Sequence, residues 1–172
     1  MKLGGIEAGG TKMVCAIGDE QGNIFDRAVF PTETPDITVP KMIDYFRDKG
    51  IEALGIGCFG PVDLNRKSPT YGYITSTPKL AWRFYDFAGA FREALQIPVG
   101  FDTDVNGAVL GEVRFGAAKG CENALYITIG TGVGVGAYIN GKLLHGLMHP
   151  EGGHIFLQKH PEDTYAGCCP YH

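Results

Sequence analysis

The chain has 172 residues, of which 44% are hydrophobic and 20% are charged, so it can bury a sizeable core. Its net charge is −4 and it has no basic block, which argues against nucleic acid as a partner. It contains no apolar run of about 18 residues and no N-terminal signal segment, so we expect a cytoplasmic protein that does not enter a membrane. The cysteines number five, an odd count, and Cys15 and Cys58 lie inside strand patterns, so a disulfide framework is not expected.

Apolar runs broken by Gly, Pro and Asn predict an α/β chain. The predicted elements are strands at 3–8, 13–17 and 23–30, a helix that begins at Asp36 or Thr38 and ends before Gly50, a strand at 53–58, a helix at 86–96, a strand at 97–101, a helix at 105–115, strands at 125–129 and 133–138, and extended chain at 142–144. The long connection at residues 62–83 is typical of a functional or mobile segment. Trp82, on this connection, could wall a ligand site or belong to the core.

Two glycine–threonine loops, at residues 9–12 and 130–134, each join a pair of predicted strands. The backbone N–H groups of such a loop can form a nest for an anion, and phosphate is the usual one. A Walker A motif is excluded, because Thr11 stands where its lysine belongs and a strand follows where it has a helix. A single loop of this kind could be a plain hairpin turn. A pair, one in each half of the chain, favours a phosphate clamp, and Lys12 could meet a phosphate as a point charge.

Three polar residues beside predicted strand ends are candidates for chemistry. Asp104 follows a strand and opens a helix, where a carboxylate can cap the helix or accept a proton from an attacking hydroxyl. Asn106, two residues later, could cap the same helix or hydrogen-bond the hydroxyl groups of a ligand. Glu7 ends the first strand beside the first loop, where a carboxylate could orient Mg2+ through water.

The C-terminal region contains a possible polyol contact and a possible metal site. Glu151 and His154 are three residues apart in a polar loop and could bridge the hydroxyls of a polyol, although a loop acid can also be merely solvated. Cys169 and His172 have the C-x2-H spacing of structural zinc, which takes four ligands, and His154 would be a third. His154 is therefore either a polyol contact or a metal ligand, and we favour the metal. The remaining histidines are interpreted as loop residues: His145, His149 and His160.

These features resemble the ribonuclease-H-like domain of actin and hexokinase, and more closely the ROK sugar kinases (repressor, open reading frame, kinase). Five motifs in the family's order carry the resemblance: Gly5-Ile6-Glu7-Ala8-Gly9-Gly10-Thr11-Lys12, Gly57-Cys58-Phe59-Gly60-Pro61-Val62-Asp63, Thr103-Asp104-Val105-Asn106-Gly107-Ala108, Gly130-Thr131-Gly132-Val133-Gly134 and Glu151-Gly152-Gly153-His154. The segment at 153–163 and the late Cys169-Pro170-Tyr171-His172 are similar to the bacterial fructokinases of that family.

The resemblance implies an ATP-dependent sugar kinase, most closely a fructokinase that converts fructose to fructose 6-phosphate with ATP and Mg2+. It implies that Asp104 is the catalytic base and that Glu7 is close to Mg2+. The residues implied to hold the ATP phosphates are Gly9, Gly10, Thr11, Lys12, Gly130, Thr131, Gly132 and Gly134. Those implied to contact the sugar are Gly60, Pro61, Asn106, Glu151 and His154. The implied structural zinc would be held by His154, Cys169, His172 and a cysteine beyond residue 172.

The resemblance also implies a division into a complete N-terminal domain at residues 1–108 and the start of a larger, truncated C-terminal domain at residues 109–172. We therefore expect a fragment of a longer protein, which could be inactive alone and would form a homodimer at full length. The alternatives are a ROK kinase for glucose, mannose or an N-acetylhexosamine, and a non-catalytic sugar-sensing regulator. The regulators carry a DNA-binding helix-turn-helix before the first strand, for which we expect no room ahead of Leu3.

Overall fold

The structure, a computed structural model, describes residues 1–130, 132–147 and 149–167. Its elements, in chain order, are β1 (Lys2–Ala8), β2 (Lys12–Asp19), β3 (Ile24–Pro31), α1 (Pro35–Phe46), β4 (Ala53–Cys58), β5 (Tyr73–Ile74), β6 (Tyr85–Asp86), α2 (Phe87–Leu95), β7 (Val99–Thr103), α3 (Asp104–Phe115), β8 (Ala124–Ile129), β9 (Val133–Ile139) and β10 (Lys142–Leu143). Short 3-10 turns lie at Leu80–Trp82 and Gly152–His154. Within the described ranges, no helix has the length and apolar character needed to cross a bilayer.

A five-stranded mixed sheet, in the order β3-β2-β1-β4-β7, is the centre of the first unit. β1, β2 and β3 form an antiparallel meander, whereas β4 pairs in parallel with β1 and with β7. Parallel neighbours need crossover connections, which contain α1 between β3 and β4 and α2 between β4 and β7. Because β1, β4 and β7 run in the same direction, the loops that follow them meet at one edge of the sheet.

The two faces of this sheet carry different residues because side chains alternate along a strand. On one face, Ile6 and Ile56 belong to the buried core that also contains residues of α1 and α2. On the other face, Gly57 lies against the start of α3, where an added Cβ would be 3.3 Å from the Cα of Asp104. The residues that bear on function therefore lie on the α3 face and at the sheet edge, away from the main core.

The predicted bounds hold for α2 to within one residue, whereas the predicted caps of α1 do not hold. The Asp86 carboxylate accepts a hydrogen bond from the Gly89 N–H at 2.8 Å, and α2 begins directly after it, as predicted. For α1, the predicted caps Asp36 and Thr38 are wrong, because Thr34 is the N-cap residue and Pro35 opens the helix. Proline is well tolerated in a first turn, since its missing N–H has no intrahelical partner there.

The second unit is a three-stranded sheet in the order β10-β9-β8, attached to the first unit through α3. The β8–β9 hairpin and the Asn140-Gly141 turn occur as predicted, and both turn residues have positive φ. β9 lies against the first turn of α3, where a Cβ added to Gly136 would be only 2.1 Å from the Val105 carbonyl oxygen. Gly136 therefore permits a close contact that places the second sheet beside Asp104.

Candidate active site between the two sheets

A cavity of about 500 Å3 lies between the edge of the five-stranded sheet and the β8–β9 hairpin. Its volume is within the range of small-molecule sites. Gly10 and Thr11 line it from the first glycine–threonine loop, and Gly130 and Gly132 line it from the second. Asp104 lies on the wall between them. The structure thus brings both predicted loops and the predicted base to one cavity.

The first loop is a tight turn that depends on glycine. The Gly9 N–H donates to the Lys12 carbonyl oxygen at 2.9 Å, and the Thr32 hydroxyl donates to the Gly9 carbonyl oxygen at 2.8 Å. A Cβ on Gly9 would be 2.8 Å from the Lys12 oxygen, so a larger residue would break this turn. Gly10 and Thr11 follow it and line the cavity, whereas Lys12 starts β2 with an exposed side chain outside the lining.

The second loop leaves open space above its glycines. The Gly130 N–H donates to the Gly132 carbonyl oxygen at 2.9 Å, which closes the turn. An added Cβ at Gly130 or Gly132 would meet no atom within 4 Å, so a ligand could approach the backbone there. Gly134, by contrast, packs against Val105 of α3. Thr131, predicted as a phosphate contact, lies outside the described residues.

Asp104 faces the cavity from the first turn of α3. The capping bond there is made by Thr103, whose hydroxyl accepts from the Asn106 N–H at 3.2 Å, so Asp104 is not needed as the cap. Burial raises the pKa of the Asp104 carboxyl, and the carboxylates of Glu7 and Glu151 raise it further, while backbone N–H groups of Val105 and Asp104 itself lower it. A carboxylate with a raised pKa is a better proton acceptor, as a general base requires.

Asn106 is held inside the fold by a chain of side-chain contacts. It is buried, and its Nδ2 donates to Asp102 Oδ1 at 2.8 Å. The other oxygen of Asp102 is 2.7 Å from Nε2 of His145, which follows β10 in the second unit. Asp102 therefore links the Asn106 amide in one unit to a histidine in the other.

Glu7 and Asn106 border a second cavity, on the α3 face of the sheet. Asp102 and Asp104 also line this cavity, so Asp104 lies between the two cavities. The Glu7 side chain is exposed at the end of β1 and is close enough to Asp104 to raise the pKa of its carboxyl. Glu7 and Asn106 thus line a different cavity from Gly10, Thr11, Gly130 and Gly132, and Asp104 lines both.

The predicted sugar contact Glu151 lies within ion-pair distance of two histidines. Its Oε1 is 3.3 Å from Nδ1 of His149, and its Oε2 is 3.4 Å from Nδ1 of His154. His149 also accepts a hydrogen bond at Nε2 from the Val62 N–H, at 3.3 Å. Glu151 and Gly60 both line the first cavity. Pro61, joined to Gly60 by a cis peptide bond, does not line it.

The structure tests the predicted zinc ligands only in part. Cys169 and His172 lie outside the described residues. Among the residues that are described, no group of three His, Cys, Asp or Glu side chains is arranged to hold a metal ion. The described candidate, His154, contacts Glu151. These residues do not form a metal site on their own.

Three contributions to the two cavities were not identified from the sequence. His145 and His149 lie in loops, as predicted. The His145 side chain hydrogen-bonds to Asp102, and the His149 side chain contacts Glu151. Lys79, from the long connection, lines the first cavity, whereas Trp82 on the same connection is a core residue whose Nε1 donates to the Glu33 carbonyl oxygen. The one sequence feature that could have drawn attention to Lys79 is its position directly after a proline in a Gly/Pro/Ser/Thr-rich loop.

Comparison with known proteins gives close relatives over nearly the whole chain. A protein of Bacillus subtilis (strain 168) is 59% identical over 170 residues, which are 99% of this chain and 57% of the relative. The fructokinase of Lactococcus lactis subsp. cremoris is 48% identical over 98% of this chain and 58% of its own. The chain therefore spans little more than half the length of these curated relatives.

Solved structures show the same architecture. A ROK family glucokinase from Streptomyces griseus, solved with glucose and AMPPNP, is 31% identical, with a TM-score of 0.75 over 90% of this chain and 50% of its own. The ROK hexokinase from Thermus thermophilus has the same identity and TM-score over 92% of this chain and 54% of its own. The fold is thus the predicted ribonuclease-H-like fold of actin and hexokinase.

The family follows from the extent of the match. Residues 3–172 match the ROK family, so the match includes both glycine–threonine loops and the segment that contains Asp104. The sheet order, the shared cavity and the close relatives all agree with it. The chain therefore belongs to the ROK family.

Proposed function

We propose that the protein containing this chain transfers the γ-phosphoryl group of ATP to a hexose hydroxyl, and that the hexose is fructose. The observation that carries the proposal is the single cavity lined by Gly10, Thr11, Gly130 and Gly132, with Asp104 on its wall. Fructose is favoured because the relatives named fructokinase are 44–48% identical, whereas the relatives named glucokinase are 33–34% identical. The product would be fructose 6-phosphate.

In the proposed reaction, Asp104 accepts the proton of the attacking sugar hydroxyl. The hydroxyl oxygen forms a bond to the γ-phosphorus, the bond from that phosphorus to the bridging oxygen of ADP breaks, and ADP leaves with the electron pair. The raised pKa of Asp104 suits it to hold the proton during this step. The two loops would hold the phosphates through backbone N–H groups from opposite sides, and closure around them would exclude water.

The metal ions have different support. Mg2+, when bound, would neutralise phosphate charge, and Glu7 offers it an exposed carboxylate close to Asp104, in agreement with a water-mediated contact. Structural zinc stays a proposal for the longer protein, since it rests on Cys169 and His172 together with His154. No step of the reaction is assigned to zinc.

An ATP-coupled assay with a panel of sugars tests the proposed function. It should include fructose, glucose, mannose and N-acetylated hexosamines, and it should use both this chain and the protein at the full length of its relatives. We expect the full-length protein to have its highest kcat/KM with fructose. A preference for another hexose would support a different ROK hexokinase, and sugar binding without turnover would support the sugar-sensing alternative.

Lys79 is expected to contribute more to ATP binding than Lys12. Lys79 is the one lysine or arginine among the described residues that line the cavity, and its Cε would be 3.2 Å from a Cβ on Gly10. We expect Lys79→Gln to raise the KM for ATP by about tenfold, because a hydrogen bond to a charged group is lost. Lys12→Gln should raise it less, and Lys41→Gln, in an exposed pair with Glu33, should leave it unchanged.

Steady-state kinetics with ATP as the varied substrate measures this difference. We expect the increase in the KM for ATP to be larger for Lys79→Gln than for Lys12→Gln, because Lys79 lines the cavity and Lys12 does not. An equal or larger effect of Lys12→Gln would show that the exposed lysine of the first loop makes the stronger phosphate contact.

A further inference from the structure

His149 is buried at the contact between the two units, close to the cavity. Its side chain is 6% exposed, whereas that of its partner Glu151 is 47% exposed. Nε2 accepts the Val62 N–H, from the turn after β4, and Nδ1 is 3.3 Å from Glu151 Oε1, in the segment after β10. One imidazole thus joins the backbone of the first unit to a cavity carboxylate of the second.

The bond from Val62 indicates which ring nitrogen of a neutral His149 carries the lone pair. Because the Val62 N–H donates to Nε2, this nitrogen has to present a lone pair. A neutral imidazole then carries its proton on Nδ1, the nitrogen that lies 3.3 Å from Glu151 Oε1. His149 therefore accepts from the backbone at Nε2 and has its Nδ1 proton on the side of the carboxylate.

The turn after β4, at residues 60–62, accommodates the His149 side chain. A Cβ on Gly60 would be 3.2 Å from His149 Cε1 and 3.4 Å from Glu151 Oε1, so glycine leaves the space that both side chains need. Gly60 immediately precedes the cis Gly60–Pro61 peptide bond, and Val62 follows it. The turn after β4 thus supplies both the room for the imidazole and the N–H that orients it.

We propose that His149 is a positioning residue that orients Glu151 for sugar binding. This inference rests on the proposed function, in which Glu151 contacts the sugar. A half-exposed carboxylate has several rotamers, and ordering it when the sugar binds costs free energy. In this proposal the contact between His149 Nδ1 and Glu151 Oε1, at 3.3 Å, restricts the carboxylate in advance, so that it is already oriented toward the cavity when the sugar arrives.

Two substitutions separate the donor role of His149 from its acceptor role. In His149→Asn, the side-chain amide nitrogen replaces Nδ1 and can still donate to Glu151, but the acceptor for Val62 is lost. In His149→Gln, the amide oxygen reaches the place of Nε2 and can accept from Val62, but the donor to Glu151 is lost. If orientation of Glu151 matters, His149→Asn should resemble the wild-type protein more than His149→Gln does.

The test measures the Kd for fructose by calorimetry and the kinetics of phosphorylation, both in the full-length protein. We expect His149→Gln to weaken fructose binding by about tenfold, His149→Asn by about threefold or less, and the KM for ATP to stay within about twofold in both variants. Thermal melting of both variants controls for a purely structural role. Glu151→Gln removes the charge of the oriented group and should weaken fructose binding at least as much as His149→Gln.

The outcomes separate this inference from the proposed function. If the wild-type protein binds fructose but does not phosphorylate it, the proposed function fails, while the affinities of the variants still test His149. The positioning role is wrong if both variants bind fructose as tightly as the wild type. It is also wrong if each variant loses affinity for fructose and for ATP to the same extent, in proportion to its loss of thermal stability. If the wild type binds no sugar, both proposals are overturned.

Discussion

Asp104→Asn is expected to lower kcat for sugar phosphorylation by about 10²–10⁴-fold, the usual contribution of a general base. Asparagine has the same shape and keeps an oxygen that can accept the Val105 N–H, which now donates to Asp104 Oδ1 at 2.9 Å. Thr103 continues to cap α3, so the fold should be retained. The KM for the sugar should change much less than kcat, because the lost proton acceptor acts mainly in the transition state.

The pH dependence gives an independent check on Asp104. Burial and the nearby carboxylates raise the pKa of its carboxyl, so the basic form is lost at a higher pH than for an ordinary aspartate. The kcat/KM of the wild-type enzyme should therefore fall as the pH is lowered through this raised pKa. The residual activity of Asp104→Asn should lack that decrease.

Matched controls distinguish loss of the base from loss of structure. Asp44→Asn removes an exposed carboxylate paired with Arg47 on α1 and should leave kcat unchanged. Urea denaturation should give similar free energies of unfolding for Asp104→Asn and the wild type. If Asp104→Asn retained the wild-type rate of phosphorylation, Asp104 would have no role as the base.

Gly136→Ala is expected to disrupt the contact between β9 and the first turn of α3. The added Cβ would be 2.1 Å from the Val105 carbonyl oxygen and 3.1 Å from the Asn106 nitrogen. Both are backbone atoms of the first turn of α3, so they cannot rotate away as a side chain can. β9 and α3 must then separate, which should lower the free energy of unfolding by about 1–3 kcal/mol. Because Asp104 directly precedes Val105, kcat should fall as well.

Gly55→Ala is the matched control for this effect. Gly55 lies within β4, and a Cβ there would meet no atom within 4 Å. Its free energy of unfolding should stay within about 0.5 kcal/mol of the wild-type value. Urea denaturation of both variants, followed by circular dichroism, measures the difference. If Gly136→Ala were as stable as Gly55→Ala, the close contact between β9 and α3 would not exist in solution.

Local patterns were sufficient to predict much of the fold. The Asn140-Gly141 turn favours positive φ and predicts the β9–β10 pairing, whereas the β8–β9 hairpin follows from two apolar runs on either side of the second glycine–threonine loop. Asp104 was identifiable as a candidate because it directly follows a strand. Once β1, β4 and β7 are parallel, their ends must meet, so the first loop and Asp104 come together without any further signal.

Contacts between distant parts of the chain could not be predicted in the same way. His149 meets Val62 across 87 positions, and His145 meets Asp102 across 43 positions, so local spacing contains no trace of either contact. Trp82 was compatible with a core position or a ligand wall. Its bond to the Glu33 carbonyl oxygen, formed by a separate loop, is what distinguishes the two.

A crystal structure of the full-length protein with fructose and a non-hydrolysable ATP analogue tests the central claim most directly. The account predicts that the phosphates lie between the loops at residues 9–12 and 130–134, and that a fructose hydroxyl is within hydrogen-bond distance of the Asp104 carboxylate. Phosphates bound on another surface, or a sugar remote from Asp104, would contradict it.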